Sequence, residues 1–257
     1  MISKMKSIYH YDGKSYSHEE LRKRFDDDIK RENENPDERI ENTLRLVEGN
    51  KILDVGCAGG GLSKRLADMG FIVHAIDVLE ESIEVAKAFS NSPKITYEVR
   101  DVLKQPFPDE SFDGIVFLET IEHVENPAMF FREFRRIMKS NGHLIVSTPN
   151  ATSLKNVLYA LSYRKKEKQK QLVKEISEEP LGTGTQIEHI YNWDFPTLVR
   201  LLERCGFDVV EHSFARSGPI VIPLFGKKIQ IIKGNSKILS AFPSLKTTLI
   251  MKARKKG

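Results

Sequence analysis

Two glutamates and a histidine are closely spaced in the segment FLETIEHVENP, at Glu119, Glu122 and His123. Positions i, i+3 and i+4 of a helical turn share one face, so we expect the two carboxylates and the imidazole to converge. His189, in EHIYNW, would add a second imidazole. These oxygen and nitrogen donors suit Mg²⁺, Mn²⁺ or another first-row divalent ion, whereas zinc with thiolates is not indicated. The alternative is that His123 or His189 acts as a general base without a metal.

A glycine-rich turn lies in the segment KILDVGCAGGGLSKRL, which has the order strand, turn, helix. Gly56 permits a tight turn after Val55, and Gly59 to Gly61 let the backbone approach a ligand closely. The N–H groups that begin the following helix would point at that ligand. The turn therefore predicts a nucleotide-like cofactor, although the spacing of Gly56, Ala58 and Gly61 also loosely matches the dinucleotide-binding pattern.

Three aspartates favour one class of cofactor. Asp54 stands just before the turn, where a carboxylate suits an ammonium or another cationic group better than a pyrophosphate. Asp77 closes the next strand, 21 residues beyond Gly56, where it could accept two hydrogen bonds from a ribose diol. Asp101 follows the third strand and could accept a hydrogen bond from the exocyclic amine of a base. Each aspartate alone is often only a cap at a strand end, but together they predict an adenosine with a positively charged appendage.

The elements that must position these residues alternate from Lys51 onward. Short apolar runs predict strands in KILDV, FIVHAID, KITYEV, FDGIVFL and HLIVSTP. Amphipathic stretches predict helices in LSKRLADMG, in EESIEVAKAF and near Pro127 to Lys139. A further helix (PTLVRLLERCG) and strand (FDVVEH) follow, and TTLIMKAR predicts an antiparallel last strand. Strands that alternate with helices of about ten residues predict a doubly wound α/β fold with a mostly parallel sheet and helices on both faces.

We expect residues 1–50 to form an N-terminal helical cap, because apolar residues recur there at about four-residue spacing. They are Leu21, Phe25 and Ile29 and, after the break at Asn35-Pro36, Ile40, Leu44 and Val47. Residues 51–257 are expected to form the main domain, with insertions at about 151–188 and 215–244. The first insertion follows a strand's carboxyl end, where α/β proteins build ligand sites. It contains a basic helical segment and a glycine-bearing loop, LGTGTQ.

The composition of the 257 residues, with 40% hydrophobic and 30% charged residues, excludes wholesale disorder and a disulfide scaffold. No apolar run approaches the roughly 20 residues of a membrane span, and MISKMKSIYH lacks the apolar core of a signal peptide. We therefore expect a cytoplasmic protein in which Cys57 and Cys205 are reduced thiols.

The net charge of +4 hides an asymmetry. Ten of the 40 basic residues lie between His212 and Gly257, where there is no acidic residue, which leaves 30 basic against 36 acidic residues in the remainder. Such a basic block can attract acidic lipids, phosphates or nucleic acid, or can simply be a solvated surface. The interleaved Ile, Val, Leu and Phe of residues 220–242 favour peripheral membrane contact and a lipid-like substrate. Nucleic acid is a weaker alternative, because aromatic residues are sparse in this segment.

The motif order LDVGCAGGG, acidic Asp77, RDV, PFPDESFDGIVFLETIEHVENP and KSNGHLIVSTPN resembles that of class I S-adenosylmethionine-dependent methyltransferases. With EHIYNWDFPTLVRLLERCGF, the resemblance covers roughly two thirds of the chain. It implies a Rossmann-like seven-stranded sheet and S-adenosylmethionine as the cofactor. Ala58 departs from the family pattern, which often has a second glycine there, and this change could slightly restrict the loop.

The resemblance also implies which residues line the cofactor. They are Asp54, Gly56, Cys57, Ala58, Gly59, Asp77, Val78, Asp101, Val102 and Leu118, with Asp77 at the ribose and Asp101 with Val102 at the adenine. Arg39 would meet the methionine carboxylate, as an N-terminal arginine does in the related ubiquinone-pathway enzymes.

The Glu-x-x-Glu-His turn with a later histidine looks like that of two metal-bearing branches, the ubiquinone-pathway O-methyltransferases and the small-RNA terminal 2′-O-methyltransferases. Related enzymes of no known metal use carry a similar turn that orders the loop beside the cofactor, so both interpretations stay open. The expected function is O-methylation of a small or lipid-linked hydroxyl compound, with catalysis by Glu122, His123 and His189. The alternatives are an RNA 2′-O-methyltransferase and a catalytically silent cofactor-binding protein. Neither the acceptor nor the oligomeric state is predicted.

Overall fold

A seven-stranded sheet forms the centre of the protein in the computed structural model. The model describes residues 9–11, 14–16, 23, 37–162, 164, 166–178, 189–215, 220–224, 227–232 and 241–256. In spatial order the strands, numbered along the chain, are β5 (Ile95–Val99), β4 (Ile72–Asp77), β3 (Lys51–Val55), β6 (Phe112–Leu118), β7 (Met138–Pro149), β11 (Thr248–Lys255) and β8 (Phe207–Ala215). The first five are parallel, and β11 is antiparallel to both β7 and β8. The predicted sheet and its antiparallel last strand are confirmed.

Seven α-helices longer than one turn lie in the described part of the chain, together with a 3₁₀-helix at Pro243–Leu245. They are α1 (Glu38–Leu46), α2 (Gly61–Asp68), α3 (Glu80–Phe89), α4 (Pro127–Ile137), α5 (Leu154–Ser162), α6 (Lys166–Glu178) and α7 (Phe195–Arg204). Two of them begin at an aspartate cap: Asp37 accepts a hydrogen bond from Arg39 N at 2.8 Å, and Asp194 accepts one from Thr197 N at 2.8 Å. These side chains satisfy amide groups that a helix start leaves without a partner.

The strands alternate their side chains between two buried clusters, one on each face of the sheet. On β3, Leu53 belongs to one cluster and Ile52 to the other. The first cluster is covered by α4 and α7, through Phe131, Phe134 and Leu198 among others. The second is covered by α2 and α3, through residues that include Leu66 and Ile83. Helices on both faces therefore confirm the doubly wound arrangement.

The structure differs from the prediction at the end of α4. The helix ends at Ile137 rather than near Lys139, and β7 begins at Met138. Met138 pairs with Phe112, the first residue of β6, and Ser111 N donates to Ile137 O at 2.7 Å. Pairing with β6 thus extends the chain earlier than the helical pattern indicates.

Short antiparallel strand pairs, which the sequence analysis did not predict, are present in both flanking regions. They are β1 (Tyr9–Tyr11) with β2 (Lys14–Tyr16), and β9 (Ile220–Leu224) with β10 (Lys227–Ile232). The helix predicted around residues 21–29 lies outside the described residues apart from Lys23, and so does the loop LGTGTQ. The division into a cap, a main domain and two insertions stays a prediction. Among the described residues, no helix is both long and apolar enough to cross a bilayer.

Candidate functional site

The glycine turn lies at the carboxyl end of β3 and is fixed to the end of β4. The amides of Gly56 and Cys57 both donate to the Ile76 carbonyl, at 2.9 and 3.0 Å. Gly56 has a φ of +74°, and a Cβ there would lie 2.6 Å from Thr120 Oγ1. Only glycine meets both conditions without strain. The closeness of Gly56 to Thr120 also shows that the glycine turn packs against the segment Glu119 to His123, which follows β6 and is called the acidic turn below.

The remainder of the turn includes two further left-handed residues. Ala58 has a φ of +46°, which is uncommon for a residue with a side chain. Gly60 precedes α2 with a φ of +78°, and a Cβ there would lie 2.6 Å from the Tyr97 hydroxyl. Gly59, between them, is buried. The predicted departure at Ala58 therefore corresponds to a backbone conformation that favours glycine.

Asp77 fits the predicted ribose contact. Its carboxylate accepts hydrogen bonds from Ala58 N and Leu79 N, both at 3.0 Å. Burial raises its pKa, while these backbone donors act to lower it. Val78 and Leu79 beside it are 64% and 57% exposed. A carboxylate flanked by exposed apolar side chains provides an acceptor for hydroxyl groups and a surface for a base, so these residues fit an adenosine.

Asp54 is buried beneath the turn. Its carboxylate accepts a hydrogen bond of 2.5 Å from Ser63 Oγ, on α2. Burial raises the pKa of Asp54 to about 7, and the nearby charge of Asp77 acts in the same direction. Burial also raises the pKa of the Cys57 thiol, so this cysteine is a neutral part of the wall. A cationic group beside Asp54 would favour its ionised form.

The other residues predicted for the cofactor differ in how they are placed. The Asp101 carboxylate accepts from Leu103 N at 3.0 Å and lies 3.1 Å from Lys104 Nζ. Burial acts to raise its pKa, but these partners outweigh that effect and lower it. The Val102 side chain is buried in the core, so only its backbone is left to meet a ligand. Leu118 is half-buried and packs against the second cluster.

The acidic turn is not the helical turn that the spacing predicted, and this is a correction. Glu119 has a φ of +47°, and residues 121–123 form a turn closed by a hydrogen bond of 3.0 Å from His123 N to Thr120 O. The shared helical face therefore does not exist. Glu119 N donates to Ser147 O at 3.0 Å, and Ser147 Oγ donates to the Glu119 carboxylate at 2.8 Å.

Three of the four predicted metal ligands come together. Within the described residues, potential ligand atoms of Glu122, His123 and His189 all lie within 4.8 Å of one another, and Glu119 is not part of that group. The centroids of the His123 and His189 rings are 4.8 Å apart, and the two rings are nearly perpendicular. One carboxylate and two imidazoles are a donor set that first-row divalent ions accept. Ligation by Glu119 stays a prediction.

The segment that carries His189 is attached to the acidic turn by its backbone. Ile190 N and Tyr191 N donate to Glu122 O at 2.8 and 3.3 Å. The Tyr191 hydroxyl donates to Glu125 O at 2.9 Å. These bonds bring together residues that are more than sixty positions apart in the chain.

Glu119 and Glu122 occupy an environment that disfavours charge. Burial raises the pKa of both carboxyl groups, and the charge of Glu119 raises that of Glu122 further. The positive charge of Arg39 acts to lower both. Arg39 lies 3.8 Å from Asp37, and its buried Nε has no hydrogen-bond partner in the described part of the chain. This unsatisfied donor fits the predicted contact with a carboxylate of the cofactor.

Comparisons with known proteins identify a methyltransferase domain. Residues 53–146 match the family model described as a methyltransferase domain. The resemblance to methyltransferases is confirmed. The ubiquinone biosynthesis O-methyltransferase of Rickettsia conorii is 39% identical over 123 residues, 47% of this chain and 41% of that protein. The chain spans about half the length of the curated relatives it matches.

Solved structures share the methyltransferase fold over most of the chain. A putative methyltransferase from Bacillus halodurans aligns with a TM-score of 0.57 and 20% identity, over 85% of this chain and 98% of that one. An S-adenosylmethionine-dependent methyltransferase from Methanosarcina mazei aligns with a TM-score of 0.54 and 21% identity, over 82% and 95%. At 20–21% sequence identity, these two structures show that the fold is shared.

Sequence reasoning missed the hydroxyl groups that hold the acidic residues. Ser63, Ser147 and Thr148 donate to Asp54, Glu119 and Glu122, respectively. Ser147 and Thr148 are successive residues near the end of β7, and adjacent hydroxyls at the carboxyl end of a strand were a signal that could have found them.

Asn150 was missed as well, although it joins several parts of the site. Its side-chain amide donates to Ser244 O and Lys246 O, at 2.7 and 2.9 Å. Its Oδ1 accepts from Thr152 N and Thr152 Oγ1, at 3.1 and 2.8 Å. Its backbone forms a bridge with Trp193. The fully buried Asn150 therefore connects β7, the His189 segment and the turn before β11.

Proposed function

We propose that this protein is an S-adenosylmethionine-dependent O-methyltransferase for a small or lipid-linked hydroxyl compound, and that Glu122, His123 and His189 hold a divalent ion at the acceptor. The meeting of these three residues, on a turn that packs against the glycine turn, supports it most directly. The matched relatives are named as O-methyltransferases, which favours oxygen as the methylated atom.

The cofactor supplies an activated methyl group on its sulfonium. The chain's own residues bind and orient it. The carboxylate of Asp77 accepts hydrogen bonds from the ribose, and the exposed side chains of Val78 and Leu79 cover the base. Arg39 uses its free Nε to hold the carboxylate, and the Asp54 carboxylate balances the ammonium. Such positioning can contribute much of the rate enhancement, because the reacting groups are held in line.

The Glu122 carboxylate and the two imidazoles would be the ligands of a divalent ion, which would supply Lewis-acid activation of the acceptor hydroxyl. Thr148 keeps the buried carboxylate oriented by a hydrogen bond of 3.1 Å. The exposed ring of His123 and the half-buried ring of His189 leave the acceptor an approach from solvent. In a metal-free reaction, one of these imidazoles would take the proton of the acceptor hydroxyl instead, typically worth about 10²- to 10⁴-fold.

Calorimetric titration with S-adenosylhomocysteine, with and without Mn²⁺, tests the cofactor assignment. We expect micromolar binding in both conditions. Methyl transfer from labelled cofactor to a panel of catechols, other phenols, sugars and short RNAs then tests the acceptor class. Absence of cofactor binding would overturn the whole proposal, whereas transfer to RNA alone would replace the acceptor class.

A separate titration with Mn²⁺, followed by electron paramagnetic resonance, tests the metal site. We expect His189→Ala to weaken Mn²⁺ binding at least tenfold. His212→Ala is the matched control, because His212 is an exposed histidine on β8 outside the three-residue cluster. The metal assignment is wrong if the unaltered protein, His189→Ala and His212→Ala bind Mn²⁺ equally well. It is also wrong if methyl transfer is complete in the presence of a chelator. Neither outcome would affect the cofactor assignment.

The lipid-linked form of the proposal depends on the basic block between His212 and Gly257. Five of its ten basic residues pair with acidic residues elsewhere in the chain, three with the predicted N-terminal cap and two with the main domain. They are Lys246, Lys252, Arg254, Lys255 and Lys256. We propose that the other five, at 216–237, provide the membrane contact. Co-sedimentation with phosphatidylglycerol vesicles should fall for Lys227→Gln with Lys228→Gln but not for Lys87→Gln with Lys94→Gln. No sedimentation of the unaltered protein would contradict membrane contact.

A further inference from the structure

A cavity lies at the end of the sheet opposite the glycine turn. Its volume is about 420 Å³, and it is lined by Asp109, Glu110, Arg132, Arg135, Arg136 and Lys255. Asp109 and Glu110 precede β6, and Lys255 ends the antiparallel β11, so the cavity lies at the amino ends of the parallel strands. The glycine turn and the acidic turn follow the carboxyl ends of β3 and β6. The cavity is therefore separate from the proposed methyl-transfer site.

The acidic side chains of this cavity already have cationic or hydroxyl partners. Asp109 forms an ion pair with Arg136, which also binds Glu133 and the Phe107 carbonyl. These carboxylates raise the pKa of Arg136 further above its usual range. Glu110 accepts from Ser140 Oγ at 2.7 Å and lies 3.8 Å from Lys255 Nζ. Each of the two carboxylates therefore already lies beside a cation other than Arg132 or Arg135.

Arg132 and Arg135 are the two cations that remain. They lie one turn apart on α4, and both are exposed. Neither has a hydrogen bond or an ion pair with any residue that the structure describes. The lining therefore carries two uncompensated guanidinium groups on one side of a concave surface.

The Arg135 side chain passes close to the backbone of Gly206. Gly206, after α7, has a φ of +85°, and a Cβ there would lie 2.7 Å from Arg135 Nε and 2.9 Å from Cδ. The stem of Arg135 thus crosses the backbone at a position that only glycine permits.

We propose that this cavity binds a phosphate monoester through the guanidinium groups of Arg132 and Arg135. Guanidinium groups present several N–H donors in a planar fork that matches phosphate oxygens, and two forks balance a dianion. The cavity volume leaves space for the organic part of a small ester beside the phosphate. The ester is either a soluble metabolite or a lipid headgroup, since both present the same phosphate.

Thermal unfolding of the full chain, followed by far-UV circular dichroism in a chelator and at constant ionic strength, tests the site. The probes are inorganic phosphate and glycerol phosphate, with chloride as the reference anion. At ten times the dissociation constant, we expect either probe to raise Tm by about 3 °C. Co-sedimentation with phosphatidic acid vesicles, compared with phosphatidylcholine vesicles, identifies whether the phosphate belongs to a lipid.

Arg132→Gln with Arg135→Gln should weaken phosphate binding at least tenfold and leave the Tm in chloride nearly unchanged. Arg45→Gln with Arg200→Gln is the matched control, since both arginines are exposed and neither lines the cavity. The control should respond to phosphate as the unaltered protein does. An equal response in all three proteins, or no phosphate effect and no binding to phosphatidic acid vesicles, would overturn the proposal.

Discussion

Thr148 Oγ1, near the end of β7, donates a hydrogen bond of 3.1 Å to the carboxylate of Glu122, and both residues are almost completely buried. The Glu122 carbonyl oxygen also accepts hydrogen bonds from the backbone amides of Ile190 and Tyr191, beside His189. One glutamate thus joins the sheet to the segment that brings the second histidine. The geometry of the proposed metal site therefore depends on a hydroxyl that does not belong to it.

Replacing this hydroxyl tests that dependence. Thr148→Val keeps the shape of the side chain but leaves a buried carboxyl group without its donor. We expect a loss of about 1–3 kcal/mol in the free energy of unfolding, measured in urea. Thr96→Val is the control, because Thr96 is exposed on β5, and it should change stability by less than about 0.5 kcal/mol. Equal effects of the two substitutions would argue against an energetic role for the Thr148 hydroxyl.

Asn150 provides a second test. Asn150→Ala would remove a fully buried amide together with its hydrogen bonds to two carbonyl groups and the Thr152 donors, so we expect a loss of about 2–4 kcal/mol. Asn141→Ala, at an exposed position of β7, should be nearly neutral. Urea unfolding measures both. A loss below about 1 kcal/mol for Asn150→Ala would show that water replaces its hydrogen bonds.

The pH dependence of stability should report the buried Asp54. Burial raises the pKa of Asp54 from its ordinary value of 3.8 to about 7 in the folded protein. Between these values the folded state binds more protons than the unfolded state, so the stabilising effect of this group is lost as pH rises from about 4 to 7. Asp54→Asn should remove this decline and stabilise the cofactor-free protein above pH 7, by at most about 4 kcal/mol.

The same variant should bind S-adenosylhomocysteine more weakly, because the carboxylate that balances the ammonium is lost. Urea unfolding at several pH values, with and without the ligand, separates the two effects. An unchanged pH profile in Asp54→Asn would mean that Asp54 is ionised throughout this range.

Ala58 offers a substitution that should stabilise the protein. Its φ of +46° costs an L-residue about 1–2 kcal/mol, which glycine avoids. The greater freedom of glycine in the unfolded chain offsets about 0.4–1 kcal/mol of this gain. We therefore expect Ala58→Gly to gain up to about 1 kcal/mol. Ala88→Gly, in the exposed last turn of α3, should instead lose up to about 1 kcal/mol. A loss in both variants would show that Ala58 is not strained.

The fold was predictable because its strands and helices have strong local patterns. The apolar runs of β3, β4 and β6 and the amphipathic face of α4 repeat the periods of a buried strand and a helix, so the order of elements followed from the sequence. The end of α4 was not predictable, since pairing of Met138 with Phe112 depends on a partner strand 26 positions away.

The candidate site was predicted in its residue types but not in its geometry. Helical spacing placed Glu119, Glu122 and His123 on one face, whereas the left-handed Glu119 turns the backbone and separates the first glutamate from the group. His189 reaches the group through bonds between its neighbours and the Glu122 carbonyl, which no local pattern records. The adjacent hydroxyls of Ser147 and Thr148 were visible in the sequence, but their glutamate partners were not, because hydrogen bonds across the sheet depend on register.

The antiparallel strand β11 lies between β7 and β8, and among the described strands β8 is joined to the sheet only by β11. Its residues from Leu249 to Met251 are fully buried. During synthesis on the ribosome, the five parallel strands and β8 leave the exit tunnel before Thr248–Lys255 does. The sheet therefore cannot close before Thr248–Lys255 emerges, and until then β7 has an open edge and β8 lacks the strand that joins it to the sheet.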